Sequence, residues 1–285
     1  MSNLFRSVIT HLRGKAYAGR NVLVLPNDVF LVSYPRSGNT WTRFLIANLL
    51  HPNDPVTFVN IDRKVADIYT TSQEALLQLP RPRILKSHEP FDPRYRNVIY
   101  IVRDPRDVAV SYYHWKLKRR VIQDGYPMEQ FVSGFVGAEF DLSVGTWGQN
   151  VATWLAARQH TSGFILLRYE DLLLQPEREL ERIAKLLRLS VTPTDLARAV
   201  TLSSAKRMRG LEKQQTNLWK GGKGFRQDKM FVRSCNAGGW KSELSERSIS
   251  EIESAWGPVM QMVGYELTTS KPTAPTLTTA AVTVA

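Results

Sequence analysis

Three short stretches hold residue types able to bind and move anionic groups. In Ser33-Tyr34-Pro35-Arg36-Ser37-Gly38-Asn39-Thr40-Trp41 the spacing is that of a phosphate-cradling loop, G-x-x-x-x-G-K-S/T. Ser33 stands at the first glycine position, Gly38 at the second, Asn39 at the lysine and Thr40 at the hydroxyl residue. Backbone N–H groups at the start of the following helix would still bind an anion, but the lysine that reaches β- and γ-phosphates is missing. The loop is therefore expected to hold a single phosphate-like group, not a triphosphate tail. Arg36 supplies positive charge from another position, and Trp41 offers an aromatic face to a base. Taken alone, the stretch also reads as an ordinary strand-to-helix turn with Trp41 in the core.

The second stretch, Val102-Arg103-Asp104-Pro105-Arg106-Asp107-Val108-Ala109-Val110-Ser111, ends an apolar run. Arg103 falls at the strand edge where open α/β sheets bind ligands, and Arg103 with Ser111 makes a sensible grip on another phosphate. Arg106 and Asp107 read as a surface pair of little energetic weight. In the third stretch, Ile84-Leu85-Lys86-Ser87-His88-Glu89-Pro90, Lys86 and His88 are two apart and share a side in extended chain. A histidine there suits a general base, and a lysine beside it can stabilise developing negative charge. A structural histidine is the competing reading.

The elements that must carry these stretches alternate. Val29–Tyr34 reads as a buried strand and Thr40–Leu50 as a helix. Arg83–Ser87 and Asn97–Val102 read as strands, and a helix opens at Pro105, a position proline favours, and runs to about Arg120. Residues 121–145, with four glycines, read as loop. Thr146–Gln159 is a helix, Phe164–Tyr169 a strand, Glu177–Leu189 and Ser248–Val263 helices. This order predicts a single α/β domain with a central, mostly parallel sheet and a P-loop-like strand–loop–helix. Residues 211–241 read as one long mobile loop of the kind that often serves function.

The domain is expected over residues 29–265. Before it, residues 1–28 form a basic extension with apolar residues at helical spacing, read as a peripheral helix, with a membrane-surface helix or transit peptide as alternatives. After it, residues 266–285 read as a disordered tail. The 285 residues carry a formal net charge of +12, which implies an anionic partner: nucleic acid, anionic membrane or a phosphorylated small ligand. A single cysteine, Cys235, forms no disulfide within the chain and fits a reducing, cytoplasmic setting. The longest apolar candidate, Phe44 to Leu50, is far short of the roughly 18–20 residues that span a bilayer, so no membrane anchor is expected.

With these residues in view, the chain resembles the sulfotransferases that use 3′-phosphoadenosine 5′-phosphosulfate (PAPS), closest to their soluble cytosolic type. The resemblance spans roughly residues 29–265. Ser33–Trp41 is similar to that family's 5′-phosphosulfate loop and Lys86-Ser87-His88 to its catalytic strand end. Arg103–Ser111, running on into Tyr112-Tyr113-His114-Trp115, is similar to its 3′-phosphate motif. Leu167-Arg168-Tyr169-Glu170-Asp171 and Phe231–Lys241 resemble its Tyr-Glu-Asp segment and its late nucleotide-closing loop.

The resemblance implies in-line transfer of a sulfuryl group from PAPS to the hydroxyl or amine of a partly apolar small molecule, without a metal. His88 would be the base, with Lys86 and Arg36 neutralising charge. The backbone of Ser37, Gly38, Asn39 and Thr40, with the Thr40 and Ser37 hydroxyls, would hold the 5′-phosphate. Arg103, Ser111 and Arg233 would hold the 3′-phosphate, and Trp41 and Tyr169 the adenine. Aromatics such as Tyr112, Tyr113 and Phe140, with residues 121–145 and 211–230, would build the acceptor pocket.

The chain departs from the family pattern in four places. Arg36 replaces the loop lysine, so a planar fork stands in for a point charge. Arg233-Ser234-Cys235 replaces Arg-Lys-Gly, and Ala205 replaces an aromatic residue often found against adenine. The family's short dimer motif is poorly matched around Lys241–Glu251, so that dimer is not expected. Two other functions stay in play: a P-loop kinase or NTPase, against which Asn39 argues, and a non-catalytic nucleotide or nucleic-acid binder. Against the latter, the basic residues sit in loops rather than in one stripe with interleaved aromatics.

Overall fold

The computed structural model describes residues 17–140, 143–215, 217–219, 224–233 and 235–269; the expectations for residues 1–16, for Ser234 and for the tail from residue 270 lie outside them. The strands β1 (Val29–Ser33), β2 (Ala66–Asp67), β3 (Ile84–Ser87), β4 (Asn97–Val102) and β5 (Phe164–Arg168) form one sheet in the order β2-β3-β1-β4-β5. All its pairings are parallel. The helices are α1 (Asn39–Leu50), α2 (Gln73–Leu77), α3 (Pro105–Lys118), α4 (Met128–Val136), α5 (Trp147–Arg158), α6 (Tyr169–Leu174), α7 (Pro176–Leu186), α8 (Pro193–Leu202), α9 (Ala205–Gln215), α10 (Trp240–Glu243) and α11 (Glu246–Met262).

Both faces of the sheet are covered, which is why its strands read as unbroken apolar runs. Alternate side chains of β1 go to opposite cores. Phe30 and Val32 join Leu85, Val98 and Tyr100 beneath α3, α4, α5 and α11. Val29 and Leu31 join Ile84, Ile99 and Leu167 beneath α1, α6, α7, α8 and α9. Helix starts are set locally. Asp104 accepts the Arg106 N–H with Pro105 at the first helical position of α3, and Thr146 and Gln149 form a reciprocal capping box at α5.

Three differences from the sequence reading have plain causes. Residues 121–145 contain α4, because Met128, Phe131, Val132, Phe135 and Val136 lie at helical spacing and Phe131, Val132 and Phe135 are buried. Gly134 sits inside that helix where the Phe140 ring packs. The segment read as loop from 211 begins within α9 and ends in α10, and α8 and α9 were not anticipated. The stretch before Val29 takes part in the fold: Ala18 and Val22 enter the core, Tyr17 bridges to Ser72, and buried Asp28 pairs with buried Arg83.

Candidate functional site

The register brings the chemistry to one edge. Val32 is level with both Ser87 and Tyr100, and Val102 with Arg168. The loop after β1, His88 after β3, Arg103 after β4 and Tyr169 after β5 therefore share the carboxyl edge of the sheet, where open α/β sheets bind ligands.

The loop turns sharply. Arg36 has φ 70° and Gly38 φ 99°, both in the left-handed region. No side chain caps α1, whose N-cap is Gly38. The N–H groups of its first turn therefore lack intrahelical partners and face outward as anion donors. The Ser37 hydroxyl is buried without a partner. Asn39 turns back from the loop, its amide donating to the Leu31 carbonyl at 3.3 Å and the Ser33 hydroxyl at 3.2 Å. It ties the loop to its own strand and brings no charge. Thr40 occupies the first turn of α1 and is half-buried.

Gly38 lies flat on the Tyr169 ring. That ring is buried, with the Arg103 guanidinium 4.3 Å from its centroid and Trp41 edge-on at 6.0 Å. Trp41 is fixed in turn by its indole N–H, which donates to the Ser203 carbonyl at 3.0 Å. Tyr169 thus forms the floor of the loop and the backing of Trp41.

Three guanidinium groups converge beside this floor. Arg36 donates from Nε to the Ser111 hydroxyl at 3.2 Å and lies between the rings of Trp115 and Phe231. Burial, then the charges of Arg103 and Arg233, hold its pKa down at about 10. Arg103 donates to the carbonyls of Arg36 and Asn236, while its buried Nε has no partner. Arg233 is paired with Glu243 at 3.0 Å, and Glu243 also binds His114 at 2.9 Å. Mutual repulsion of this kind, with a buried hydroxyl and a buried guanidinium nitrogen left unpaired, fits a site that takes an anion.

The base candidate is well defined. His88 Nδ1 lies 2.7 Å from the Ser33 carbonyl, a partner that can only accept, so Nδ1 carries the proton and Nε2 keeps its lone pair. Burial and then the Lys86 charge push the His88 pKa down to about 3. Lys86 is ion-paired with Asp67 at 3.0 Å; burial pulls its pKa down and Asp67 partly restores it.

Two partner residues gave no sequence signal: Asp67, which holds Lys86, and Glu243, which holds Arg233. Both act across gaps with no recognisable spacing. Arg106 and Asp107 need correction, since both are buried and they bind different partners. Arg106 pairs with Asp104 and Glu253 and covers the Trp240 ring. Asp107 accepts the backbone N–H groups of Gly238 and Trp240, pinning the late loop to α3.

The same loop is held elsewhere. Arg209 donates to the carbonyls of Val232 and Arg233, Glu212 accepts the N–H groups of Phe231 and Val232, and Lys118 donates to the Arg226 carbonyl. A cavity of about 740 Å³ opens between residues 120–124 and 225–228. Neither His88 nor Lys86 lines it, but its Phe225 lies edge-on to Trp115, which carries Arg36. Tyr112 is buried, and the half-buried Phe140 is stacked on Phe131. The Tyr113 hydroxyl donates to the Tyr126 carbonyl. No helix among the described residues is long and apolar enough to cross a membrane.

Comparison with known proteins places this edge in context. The sulfotransferase domain family model matches residues 26–264. Sulfotransferase 1A1 of Canis lupus familiaris is 27% identical over 86% of this chain and 87% of its own length. The 3-beta-hydroxysteroid sulfotransferase of Cavia porcellus is 28% identical over 85% and 86%. Among solved structures, retinol dehydratase in complex with retinol and PAP superposes with a TM-score of 0.72 at 20% identity, covering 88% of this chain and 86% of that one. Its complex with androsterone and PAP gives 0.70 at 19%, covering 93% and 88%.

Proposed function

Because this chain belongs to the sulfotransferase family, we propose that it moves the sulfuryl group of PAPS to a hydroxyl of a partly apolar small molecule, with His88 as general base. One observation carries the reading. The proton acceptor is hydrogen-bonded to the residue that opens the phosphate loop, His88 Nδ1 to the Ser33 carbonyl. Base and donor site are thereby held in one geometry, as proximity catalysis requires.

PAPS, the donor substrate, supplies an activated sulfuryl group and leaves as adenosine 3′,5′-bisphosphate. The first-turn N–H groups of α1, with the Ser37 and Thr40 hydroxyls, are assigned to the 5′-phosphate. Arg103, Ser111 and Arg233 are assigned to the 3′-phosphate and Trp41, backed by Tyr169, to adenine. His88 Nε2 takes the acceptor proton, while Lys86 and Arg36 offset charge developing on the transferred group. Burial, and then the charge of nearby cations, hold His88 neutral in the free protein; an anionic donor would balance the cations and so raise its proton affinity in part when a base is needed. Arg36 is fixed against Ser111 and two rings, so its role is electrostatic. The steroids and retinol named for similar proteins fit an apolar acceptor bearing a hydroxyl. The half-buried aromatics Tyr113, Trp115 and Phe140 suit such a molecule.

A kinase-like reading loses its basis at Asn39, whose side chain is turned into the β1 strand. Calorimetric titration with adenosine 3′,5′-bisphosphate, with ATP as control and no magnesium, tests the donor site. Micromolar binding of the bisphosphate alone is expected, and its absence would overturn the reading. His88→Ala should retain that binding and lose turnover; near-normal turnover would remove His88 from the base role.

A further inference from the structure

We propose that Tyr69, two residues beyond β2, is the positioning residue for the His88–Lys86 pair, an inference that rests on the transfer reaction proposed above. Five contacts converge on this one side chain and its own backbone. Its hydroxyl accepts the His88 backbone N–H at 3.0 Å and donates to Glu89 Oε1 at 2.9 Å. Its ring runs parallel to the imidazole within 12°, centroids 6.1 Å apart. The Lys86 ammonium stands 4.8 Å from the ring centroid. Its backbone N–H donates at 2.9 Å to Asp67 Oδ1, while Asp67 Oδ2 holds Lys86.

The geometry matters because His88 lies just past the end of β3, where the ladder no longer fixes the chain. Beyond Ser87, His88 is held by three bonds: its own Nδ1–H to Ser33, its backbone N–H to Tyr69, and its carbonyl, which accepts the Asn150 amide at 3.3 Å; of the two backbone bonds, the Tyr69 one is the shorter. The phenol hydroxyl gives its one proton to Glu89 and accepts the His88 N–H, and burial pushes its pKa up. It therefore takes no proton from an acceptor and acts only through its neighbours. The lysine is oriented the same way, by a carboxylate below and an aromatic face beside it. A phenylalanine would keep the ring and lose the hydroxyl; a leucine would lose both.

The test uses the full-length chain. In Tyr69→Phe, kcat with PAPS and a phenolic acceptor should fall about 10- to 100-fold, as sub-ångström displacement of a base does. The KM for PAPS and the calorimetric affinity for adenosine 3′,5′-bisphosphate should stay within about twofold. The imidazole ¹⁵N resonances of His88, assigned with His88→Ala and read on the ligand-free protein, should move. Tyr69→Leu should lower kcat further. A Tyr69→Phe enzyme with kcat within about twofold of wild type overturns the proposal, and so does a loss of kcat with unmoved His88 resonances. A wild-type protein that binds no bisphosphate and transfers nothing sinks the function reading instead, a result visible before any variant is made.

Discussion

Replacing Gly38 with alanine tests whether the phosphate loop is shaped by its contact with Tyr169. A Cβ on Gly38 would sit 2.4 Å from Tyr169 Cδ2 and 2.9 Å from Cε2, closer than carbon atoms approach, at a residue with φ 99°. The ring has little room to retreat. It is 5% exposed, with the Arg103 guanidinium 4.3 Å from its centroid and Trp41 at its edge. A left-handed backbone costs a non-glycine residue about 1–2 kcal/mol, and forcing an extra carbon into a packed contact about 1–3 kcal/mol. The expected loss is therefore about 2–5 kcal/mol, a large share of the roughly 5–15 kcal/mol that holds a domain together.

The damage should not stop at stability. Pushing Tyr169 away moves Arg103 and tilts the first turn of α1, so affinity for adenosine 3′,5′-bisphosphate should fall at least tenfold. Urea unfolding reads the first effect as a lower midpoint at unchanged slope, and calorimetry reads the second. A double-mutant cycle separates the causes. In a Tyr169→Ala background the steric part vanishes, and Gly38→Ala should cost only the backbone part. A loss below about 1 kcal/mol in the wild-type background, with bisphosphate affinity intact, would refute the argument.

Three further outcomes follow from electrostatics. The His88 pKa is lowered to about 3 in the fold, against an ordinary value of about 6.5. Its neutral form therefore contributes stability that is fully present above about pH 6.5 and lost as pH falls toward 3. His88→Gln should flatten that part of the stability–pH curve, and an unchanged slope would refute it. In the same way the acid limb of kcat/KM should lie well below the ordinary imidazole range. Glu243 occupies Arg233 at 3.0 Å and would compete with the 3′-phosphate proposed to bind there, so Glu243→Gln should tighten bisphosphate binding. The pair is about one-third exposed, which limits the gain to a few-fold; weaker binding in calorimetry would show that Glu243 positions Arg233 rather than masks it.

Local patterns carried most of this protein into view. A phosphate loop needs a strand, a turn and a helix in succession, so Ser33–Trp41 is written within nine residues, its missing lysine included, whereas the inward turn of the Asn39 side chain onto Leu31 and Ser33 is seen only in the fold. Strand ends announce themselves where an apolar run meets a charge, which is why Lys86, His88 and Arg103 stand out. What was hidden is what holds these residues. Asp67 lies 19 residues before Lys86, Asp107 takes N–H groups more than 130 residues away, and Glu243 reaches both Arg233 and His114. Such pairs have no period because nothing in the chain between them fixes their distance; only the sheet order and the helix packing do. The α4 helix was missed for a related reason. The glycines of residues 121–145 argue for a loop locally, yet Gly134, the one inside α4, sits where the Phe140 ring packs, a tertiary demand. In this fold, then, the groups that would touch a ligand are spelled out in sequence, while those that set their charge and aim emerge only when the edge is assembled.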